Sequence, residues 1–307
     1  MAKYTVLFNP HADNGRGEEE CRKVTRYYPD GETEFIDITE IPDLNAFFDS
    51  LPRDNTPILS GGDGTINRFI NNLNEKHLAR DILYYGTGTG NDFLFDLGIP
   101  KGSKPFLLNP YIINLPTVTV KGITAKFLNG IGYGIDGFCC EEGDKLRLKK
   151  PGTKINYTAI AIKGLLFKYS PTNARVTADG VTKTYKRVWL SPTMNGRYFG
   201  GGIMPTPMQD RLKNETVSTM IFHNWLRLAA LMAFPSTFTG KHVKYAEKID
   251  IFTAKEVTVE YDRPTALQID GETVRNVTSY TVRVCENRVS LEDRKKAYEA
   301  DRAAAVK

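Results

Sequence analysis

The sequence predicts an α/β domain with a mostly parallel sheet, followed by a second domain that is an antiparallel β-sandwich. Three observations lead to this prediction. The chain has 307 residues, enough for two cores, and its apolar runs alternate with helix-like segments as far as about residue 105. After that point strand-like runs follow one another across short turns, as in antiparallel sheets. We therefore divide the chain into residues 1–120 and 121–307, with a C-terminal segment able to return to the first domain.

Short apolar runs predict the strands of the first domain at Tyr4–Phe8, Glu34–Asp37, Pro57–Leu59 and Ile82–Tyr85. Between them, helix-like patterns cover Glu18–Tyr27, Leu44–Ser50 and the segment from Ile66 to Ile70. Polar loops follow three of the strands, at Asn9–Gly17, Gly61–Thr65 and Gly86–Asp92. Because parallel sheets bind ligands beyond the carboxyl ends of their strands, we expect these three loops to meet at one edge.

Further strand-like runs predict the second domain at Thr117–Val120, Ala125–Leu128, Arg175–Ala178, Val188–Ser191, Val217–Ile221, Lys255–Tyr261 and Tyr280–Val284. Tight turns such as Asp179-Gly180 and Asp270-Gly271 separate some of them. A basic amphipathic stretch, Lys145–Lys150, and an apolar helix near Trp225–Phe234 interrupt the strands. The last residues, Leu291–Lys307, carry a charged, alanine-rich helical pattern.

Composition and charge narrow the class of protein and its partners. A net charge of +5 permits attraction to an anionic surface, but it is too small to indicate nucleic acid binding. The N-terminal residues become polar too early for a signal peptide, and the most apolar stretch stops at Pro235, too short for a membrane span. Four cysteines without a C-x-x-C pair indicate a reduced setting. We therefore expect a cytoplasmic protein that does not bind nucleic acid.

The most informative stretch is Ser60-Gly61-Gly62-Asp63-Gly64-Thr65, between a predicted strand and a predicted helix. Glycines let the main chain approach an anion, and a helix N-terminus attracts one. Asp63 would repel a bare phosphate, so its presence indicates a magnesium ion between the two. The alternative is a simple Gly/Asp turn. The chain has neither G-x-x-x-x-G-K-[ST] nor G-x-G-x-x-G after its first strand, which argues against a P-loop or a dinucleotide fold.

A second glycine cluster, Gly86-Thr87-Gly88-Thr89-Gly90-Asn91-Asp92-Phe93, follows the next predicted strand. Its polar side chains can hydrogen-bond a phosphate or orient metal-bound water, although alone it could equally be a connector. Taken together, the two clusters resemble the diacylglycerol kinase catalytic family, which includes sphingosine kinases and bacterial soluble lipid kinases. This resemblance implies the NAD kinase/lipid kinase-like version of the predicted fold.

Further segments extend the resemblance along the chain: Asn9-Pro10, Asn129–Asp136, Asn195–Gly202, Pro205, Asp210-Arg211-Leu212, Gly240–Val243 and Gln268–Glu272. Three positions depart from the family pattern. Arg68 stands where the family usually has Glu, Phe95 replaces a frequent Arg, and Asp210-Arg211 replaces a common Asp-Gly. These departures leave the predicted fold unchanged and the identity of the substrate open.

The resemblance implies that ATP and Mg²⁺ are used. It assigns ATP binding to two loops and the Asn9 segment, namely Asn9, Pro10, Gly61, Gly62, Asp63, Gly64, Thr65, Gly86, Thr87, Gly88, Thr89 and Asn91. Asp63 and Asp92 would anchor the magnesium network through water, with Asp136 as an additional member. It also implies a second, structural magnesium at Asp210, with main-chain oxygens of Pro207 and Leu212.

For the general base, the resemblance favours Asp270 and leaves its neighbour Glu272 as the alternative, although Asp-Gly is also a standard hairpin turn. The implied activity is transfer of the γ-phosphate of ATP to the hydroxyl of diacylglycerol or a related lipid. Lys145–Lys150 is either a solvated face or a contact with the anionic inner face of a membrane. A homodimer is also expected.

Two other functions remain open. An NAD kinase shares Gly-Gly-Asp-Gly-Thr, but Asn195–Gly202 and Gln268–Glu272 favour the lipid branch. A nucleotide- or lipid-binding relative without turnover is the other alternative, and Arg68 and Phe95 motivate it.

Overall fold

The computed structural model describes residues 2–150, 155–213 and 215–305, with side chains up to residue 300. They form two compact units. The first consists of Met1–Leu115 and Glu286–Lys307, and the second of Pro116–Cys285. The N-terminal segment of the first unit thus ends at Leu115, whereas we placed the boundary at residue 120 from the sequence. The division into a nucleotide-binding and a lipid-kinase domain stays a prediction.

The first unit contains a five-stranded sheet in the order β2-β1-β3-β4-β5. Its strands are β1 (Lys3–Phe8), β2 (Glu32–Asp37), β3 (Asn55–Gly61), β4 (Leu83–Gly86) and β5 (Phe106–Leu107). The first four run parallel, and only β5 is antiparallel to its neighbour. Val6, Leu7, Ile58 and Leu59 are completely buried, because helices cover both faces of the sheet. The predicted mostly parallel α/β sheet is confirmed.

The helices of the first unit before Leu115 are α1 (Ala12–Gly15), α2 (Gly17–Arg22), α3 (Leu44–Ser50), α4 (Asp63–Asn72), α5 (Asp92–Leu97) and α6 (Asn109–Ile112). Short 3-10 turns lie at Lys23–Tyr27, Ile38–Glu40 and Glu75–Ala79. The predicted loop Asn9–Gly17 contains the four-residue segment α1, in which two residues depart from helical backbone angles. Asp13 and Asn14 adopt left-handed φ angles of 51° and 59° there, a conformation that Asp and Asn tolerate.

The strands of the second unit are β6 (Thr117–Val120), β7 (Ile123–Lys126), β8 (Gly130–Tyr133), β9 (Thr172–Ala178), β10 (Val181–Val188), β11 (Thr193–Met194), β12 (Val217–Phe222), β13 (Ile249–Ala254), β14 (Glu256–Ile269) and β15 (Glu272–Arg283). All the pairs between them are antiparallel. The main path is β13-β12-β11-β8-β14-β15-β6-β7, and β9 pairs with β10 and β14. This is the antiparallel β-sandwich that the sequence predicts.

Helices of the second unit cover one part of the sandwich: α7 (Ile135–Lys149), α8 (Tyr157–Lys163), a π-helix (Gly164–Lys168) and α9 (Arg227–Ala233). Two 3-10 turns, Phe234–Phe238 and Lys241–Lys244, follow α9. They pack on buried Trp189, Phe222 and Trp225. The basic stretch Lys145–Lys150 begins in the last turns of α7.

The helix α10 (Leu291–Ala305) belongs to the first unit, and its Arg294 donates to Glu75 O at 2.9 Å.

Some predicted strands of the second unit were wrong in their bounds. The run Val188–Ser191 is not a strand, because β10 ends at Val188 and Leu190 makes only isolated bridges to Gly134 and Phe222. The runs Lys255–Tyr261 and Tyr280–Val284 overlap β14 and β15, which are longer and are joined by one hairpin. Its turn residues Asp270 and Gly271 have φ angles of 45° and 93°, and a two-residue hairpin turn of this type requires both to be positive.

Candidate functional site

The two glycine loops of the first unit meet at the carboxyl ends of β3 and β4. Gly61 O accepts hydrogen bonds from Thr87 N at 2.9 Å and Gly88 N at 3.0 Å, and Tyr84 Oη donates to it at 2.9 Å. A methyl group added at Gly88 would lie 2.4 Å from Gly62 Cα, so only glycine allows this approach. The backbones of the two loops are therefore in direct contact, as the strand order predicts.

The loop that contains Asn9 joins the same edge of the sheet. Asn9 N donates to Ser60 O at 3.3 Å, and Asn9 Nδ2 donates to Thr65 Oγ1 at 3.2 Å. The side-chain oxygen of Asn9 accepts from His11 N at 3.0 Å and so fixes the turn that Pro10 begins. Asn9 thereby connects the first loop to the start of α4. All three predicted loops lie together.

Asp63 and Asp92 are the first residues of α4 and α5. The N-termini of the two helices are close, because Phe93 N donates to Asp63 Oδ2 at 3.3 Å. Carboxylates at helix N-termini are stabilised by the helix dipole. The arrangement brings the carboxylate of Asp63 to the first turn of the helix that Asp92 begins, so both predicted magnesium ligands belong to one small region.

A buried cluster around Asp13 ties the first loop to the second glycine loop. Asp13 Oδ1 accepts from Lys101 Nζ at 2.9 Å and from Thr89 Oγ1 at 3.2 Å, and Asp13 Oδ2 accepts from Arg16 at 2.5 Å. Asn14 Nδ2 donates to Thr89 Oγ1 at 3.3 Å. The hydrogen bond from the Lys101 ammonium holds the pKa of Asp13 below its usual value, against the opposing effect of burial. Two cations thus lie beside the glycine loops.

The residues of this edge fit a magnesium-bound phosphate. Gly64 and Gly90 face open space, since a methyl group at either would meet no atom within 4 Å. Asn91 Nδ2 donates to Gly88 O at 2.7 Å, while the buried Asn91 Oδ1 accepts no hydrogen bond from any described residue. Magnesium keeps most of its waters and takes one or two carboxylates. Asp63 and Asp92, with an amide oxygen nearby, supply that donor set. Among the described residues no three His, Cys, Asp or Glu side chains form a closed metal cage.

A cavity of about 530 Å³ opens beside these loops within the first unit. Asn9 and Thr65 form the wall that it shares with the loops, and Thr39, Arg68 and Asn72 are among its other lining residues. Arg68, which departs from the family pattern, lies on the exposed side of α4. The volume is in the range of small-molecule sites.

In the second unit, the Asp270 carboxylate anchors the β14–β15 turn. Asn129 N donates to Asp270 Oδ1 at 2.8 Å and Gly130 N donates to it at 3.0 Å, while Leu128 N donates to Asp270 Oδ2. The side chain of Gln268 accepts from Gly271 N at 2.6 Å and completes the turn. Both carboxylate oxygens of Asp270 therefore accept main-chain hydrogen bonds that stabilise the turn.

Glu272 is the first residue of β15, two positions beyond Asp270, and its side chain is exposed.

Asp136 is the second residue of α7, and a methyl group at Gly132 would lie 1.6 Å from its Oδ2. Its other oxygen is 3.7 Å from the position of a methyl group on Gly200. Asp136 thus lies among the glycines of two predicted motifs of the second unit.

The carboxylate predicted to bind a second magnesium already has two polar neighbours. Asp210 Oδ1 accepts from Leu212 N at 3.0 Å, and Lys213 Nζ is 3.8 Å from Asp210 Oδ2. Pro207 packs against Gly240, where a methyl group would lie 3.0 Å from Pro207 Cγ. A metal at Asp210 would have to compete with a cation and an N–H group already present. No step proposed below uses this metal.

Arg211 places a cation in the interior of the same loop. Its side chain is only 4% exposed, and its guanidinium donates to Leu128 O at 3.3 Å and to Asn129 Oδ1 at 2.9 Å. Asn195 Nδ2 also donates to Leu128 O, at 2.8 Å. Arg211 and Asn195 therefore bind two of the three residues whose N–H groups donate to Asp270.

Sequence reasoning missed the cluster of Asp13 and Lys101. The Asn14-Gly15 dipeptide signals a turn, but nothing in the sequence connects Asp13 to a lysine 88 positions away. The role of Arg211 was also missed, although its departure from the family pattern was visible. A buried arginine is rare without partners, and only the fold supplies them.

Comparison with known proteins gives matches to both units. Residues 3–112 match the diacylglycerol kinase catalytic domain, and residues 129–291 match the YegS C-terminal NAD kinase beta sandwich-like domain. A diacylglycerol kinase of Mycobacterium tuberculosis is 26% identical over 211 residues, which is 66% of each chain, just under two thirds of that relative's length. A crystal structure of a Bacillus anthracis str. Sterne protein covers 92% of both chains with a TM-score of 0.61 at 18% identity. Another from that organism, described as a diacylglycerol kinase, has a TM-score of 0.57 and 17% identity and covers 92% of this chain and 94% of its own.

The parallel α/β unit with its paired glycine loops corresponds to the first of these family models, and the antiparallel sandwich corresponds to the second. The chain belongs to the diacylglycerol kinase family, since the model of the catalytic domain matches residues 3–112 and the model of the YegS C-terminal sandwich domain matches residues 129–291. No helix among the described residues is long and apolar enough to cross a bilayer.

Proposed function

We propose that this protein is a lipid kinase that transfers the γ-phosphate of ATP, with Mg²⁺, to a hydroxyl of diacylglycerol or a related lipid. The observation that carries the proposal is the direct contact of the two glycine loops, with Asp63 and Asp92 at the adjoining helix N-termini. Such an edge suits phosphate and a hard cation together. The family membership supports a kinase, and its named relative supports the lipid acceptor.

In this proposal the phosphates of ATP lie over Gly62–Thr65 and Gly86–Asn91. Main-chain N–H groups of the first turn of α4 face the anion, and Lys101 and Arg16 add positive charge nearby. The cavity of about 530 Å³ beside Asn9 and Thr65 then receives the nucleoside. Arg68 in its wall is expected to affect the affinity for ATP more than the stability of the fold.

Asp63 and Asp92 are the residues that would hold the magnesium, through water, with the Asn91 side-chain oxygen accepting from one such water. When bound, magnesium neutralises charge on the β- and γ-phosphates. The hydrogen bond from Phe93 N orients the Asp63 carboxylate before any ligand arrives. Such fixed geometry lowers the cost of assembling the transition state.

For proton transfer we assign Glu272 as the acceptor from the lipid hydroxyl and Asp270 as the residue that positions it. Three main-chain N–H groups occupy the Asp270 oxygens, so that carboxylate is already engaged in holding the turn. Glu272 follows on the same hairpin with an exposed side chain. A general base must reach the proton that it accepts, and the exposed carboxylate can do so.

The test is transfer of labelled γ-phosphate from ATP with Mg²⁺ to mixed micelles that contain diacylglycerol, with NAD as a parallel acceptor. Glu272→Gln should reduce turnover by about 100-fold or more, which is the range for general acid–base catalysis. Asp63→Asn should also reduce turnover, because it removes a carboxylate proposed to hold the magnesium. Glu215→Gln, at another exposed glutamate of the second unit, is the matched control and should leave turnover unchanged.

Label in NAD instead of lipid would overturn the lipid acceptor in favour of an NAD kinase. ATP binding without transfer to any acceptor would instead indicate a relative without turnover. If Glu272→Gln keeps full turnover, the assignment of Glu272 as the base is wrong.

A further inference from the structure

We infer that one helical surface of the second unit docks onto an anionic lipid bilayer. We call this surface the docking face, and define it by the exposed apolar side chains of Ile162, Phe167, Leu226, Leu228, Met232, Phe238 and Val243. The inference rests on the proposed function, because a kinase that phosphorylates a membrane lipid must reach the bilayer. The observations that carry it are exposure, contiguity and charge.

Large apolar side chains of the docking face are unusually open to solvent. Phe167 is 79% exposed, Leu226 67%, Leu228 63% and Met232 69%. Leu228 and Met232 lie four residues apart, on one side of α9, and the opposite side carries buried Ala230 and Ala233. Nothing in the described part of the second unit covers these side chains. Contiguous apolar patches of this kind mark interaction sites.

The elements that bear these residues are neighbours. Arg227 Nη1, at the start of α9, donates to Leu165 O in the π-helix at 2.6 Å. The π-helix also packs against α8, and the two 3-10 turns that carry Phe238 and Val243 follow α9 directly. The elements that bear the apolar residues therefore adjoin one another along one part of the second unit. By contrast, exposed Ile123 and Val181 are single residues, each next to a tight hairpin turn.

The charge of the docking face is positive. The segments 155–168 and 223–248 contain six basic residues and Glu247 as their one acidic residue. Lys168 is paired with Glu142 of α7 at 3.3 Å, whereas Lys163, Lys241 and Lys244 extend from exposed positions beside the apolar side chains. Apolar residues flanked by lysines are the pattern of an interfacial membrane contact.

This charge also selects the bilayer over a second copy of the chain. A twofold dimer through the docking face would set two faces of net positive charge against each other, and like charges repel. An anionic bilayer attracts the lysines and accepts the apolar side chains at its headgroup boundary. The acidic partner that complements this face is therefore a lipid surface.

The experiment is co-sedimentation of the full chain with vesicles of phosphatidylglycerol and phosphatidylcholine, compared with phosphatidylcholine alone. We expect binding to the anionic vesicles that weakens as salt is added. Leu228→Ser with Met232→Ser should weaken it about 100-fold, since each buried side chain contributes about tenfold. Lys241→Glu with Lys244→Glu should weaken it by about 25-fold or more.

The matched control is Ile123→Ser with Val181→Ser, which removes equally exposed apolar side chains outside the docking face and should leave binding unchanged. Thermal unfolding checks that each variant is folded, and the lysine variant keeps the test open if the apolar one is not. The inference is overturned if the wild type does not bind anionic vesicles, or if the apolar variant binds as well as wild type. It is also overturned if the apolar variant instead dissociates a dimer in sedimentation equilibrium.

A short-chain diacylglycerol below its aggregation concentration separates this inference from the proposed function. The Leu228→Ser/Met232→Ser variant should phosphorylate that monomeric lipid at the wild-type rate and lose activity only on vesicles. If neither the wild type nor any variant phosphorylates a lipid, the proposed function is wrong. The vesicle-binding experiment then still tests whether the docking face binds an anionic bilayer.

Discussion

The glycine loops of the first unit and the Asp270 turn of the second both place an aspartate in a tight turn, but different atoms hold them. In the first unit main chain meets main chain: Gly88 N donates to Gly61 O, and Gly62 and Gly88 approach too closely for a side chain. In the second unit the Asp270 carboxylate itself gathers three main-chain N–H groups. An aspartate beside a glycine can therefore have either of two roles. It can be available to a ligand, as we propose for Asp63, or it can hold the turn together, as Asp270 does.

The largest expected effect comes from removing the Asp270 carboxylate. Asp270→Ala leaves three N–H groups of Leu128, Asn129 and Gly130 without their acceptor, and we expect the free energy of unfolding to fall by about 4 kcal/mol. Chemical denaturation of the full chain measures this. Glu272→Ala, two positions on and exposed, should change stability by less than about 0.5 kcal/mol. Equal stabilities of the two variants would remove the distinction between the two carboxylates.

A single substitution at Gly88 tests the main-chain contact between the two glycine loops. A methyl group at Gly88 would lie 2.4 Å from Gly62 Cα, so Gly88→Ala must push the two loops apart, at a cost of about 2–3 kcal/mol in the free energy of unfolding. Gly90→Ala is the matched control, because a methyl group there meets nothing within 4 Å. Thermal unfolding should detect Gly88→Ala and not Gly90→Ala. Similar results for both glycines would show that the loops do not depend on close packing.

The two regions also differ in how far the sequence predicts them. The first-unit loops could be predicted, because each glycine motif directly follows a strand, and parallel strands bring such loops to one edge. The role of Asp270 could not, since Leu128, Asn129 and Gly130 are some 140 positions away and their N–H groups carry no sequence signal. Strand bounds in the second unit failed for a related reason: β14 is 14 residues long and its central residues do not alternate regularly.

Arg211 extends the comparison to a buried cation near the Asp270 turn. Its guanidinium donates to Leu128 O and to Asn129 Oδ1, so Arg211→Met should lower the free energy of unfolding by about 2 kcal/mol. Lys213→Met is the control, since Lys213 is 81% exposed and its ion pair with Asp210 is a surface one. Chemical denaturation of the full chain, followed by a signal from the second unit, compares the two variants. If Lys213→Met destabilises as much as Arg211→Met, burial of the guanidinium is not the cause.

The smallest expected effect concerns the charge of Asp13 in the first unit. The Lys101 ammonium lowers the pKa of Asp13 in the folded protein, so the carboxylate stabilises the fold above its ordinary pKa of 3.8. That contribution is lost as the pH falls below 3.8 and through the lower folded value. Asp13→Asn removes the charge while Asn still tolerates the left-handed φ of 51°. We expect wild type to exceed the variant by about 1 kcal/mol at pH 6, and the difference to shrink towards zero as the solution is acidified.

Urea denaturation of both proteins at several pH values measures this difference. Lys101→Met, which removes the partner and leaves Asp13 in place, should flatten the pH dependence in the same way. A difference that stays constant from neutral to acid pH would mean that the carboxylate acts by shape and not by charge. The Asp13 cluster would then resemble the main-chain contacts of the glycine loops, and the contrast with Asp270 would be sharper still.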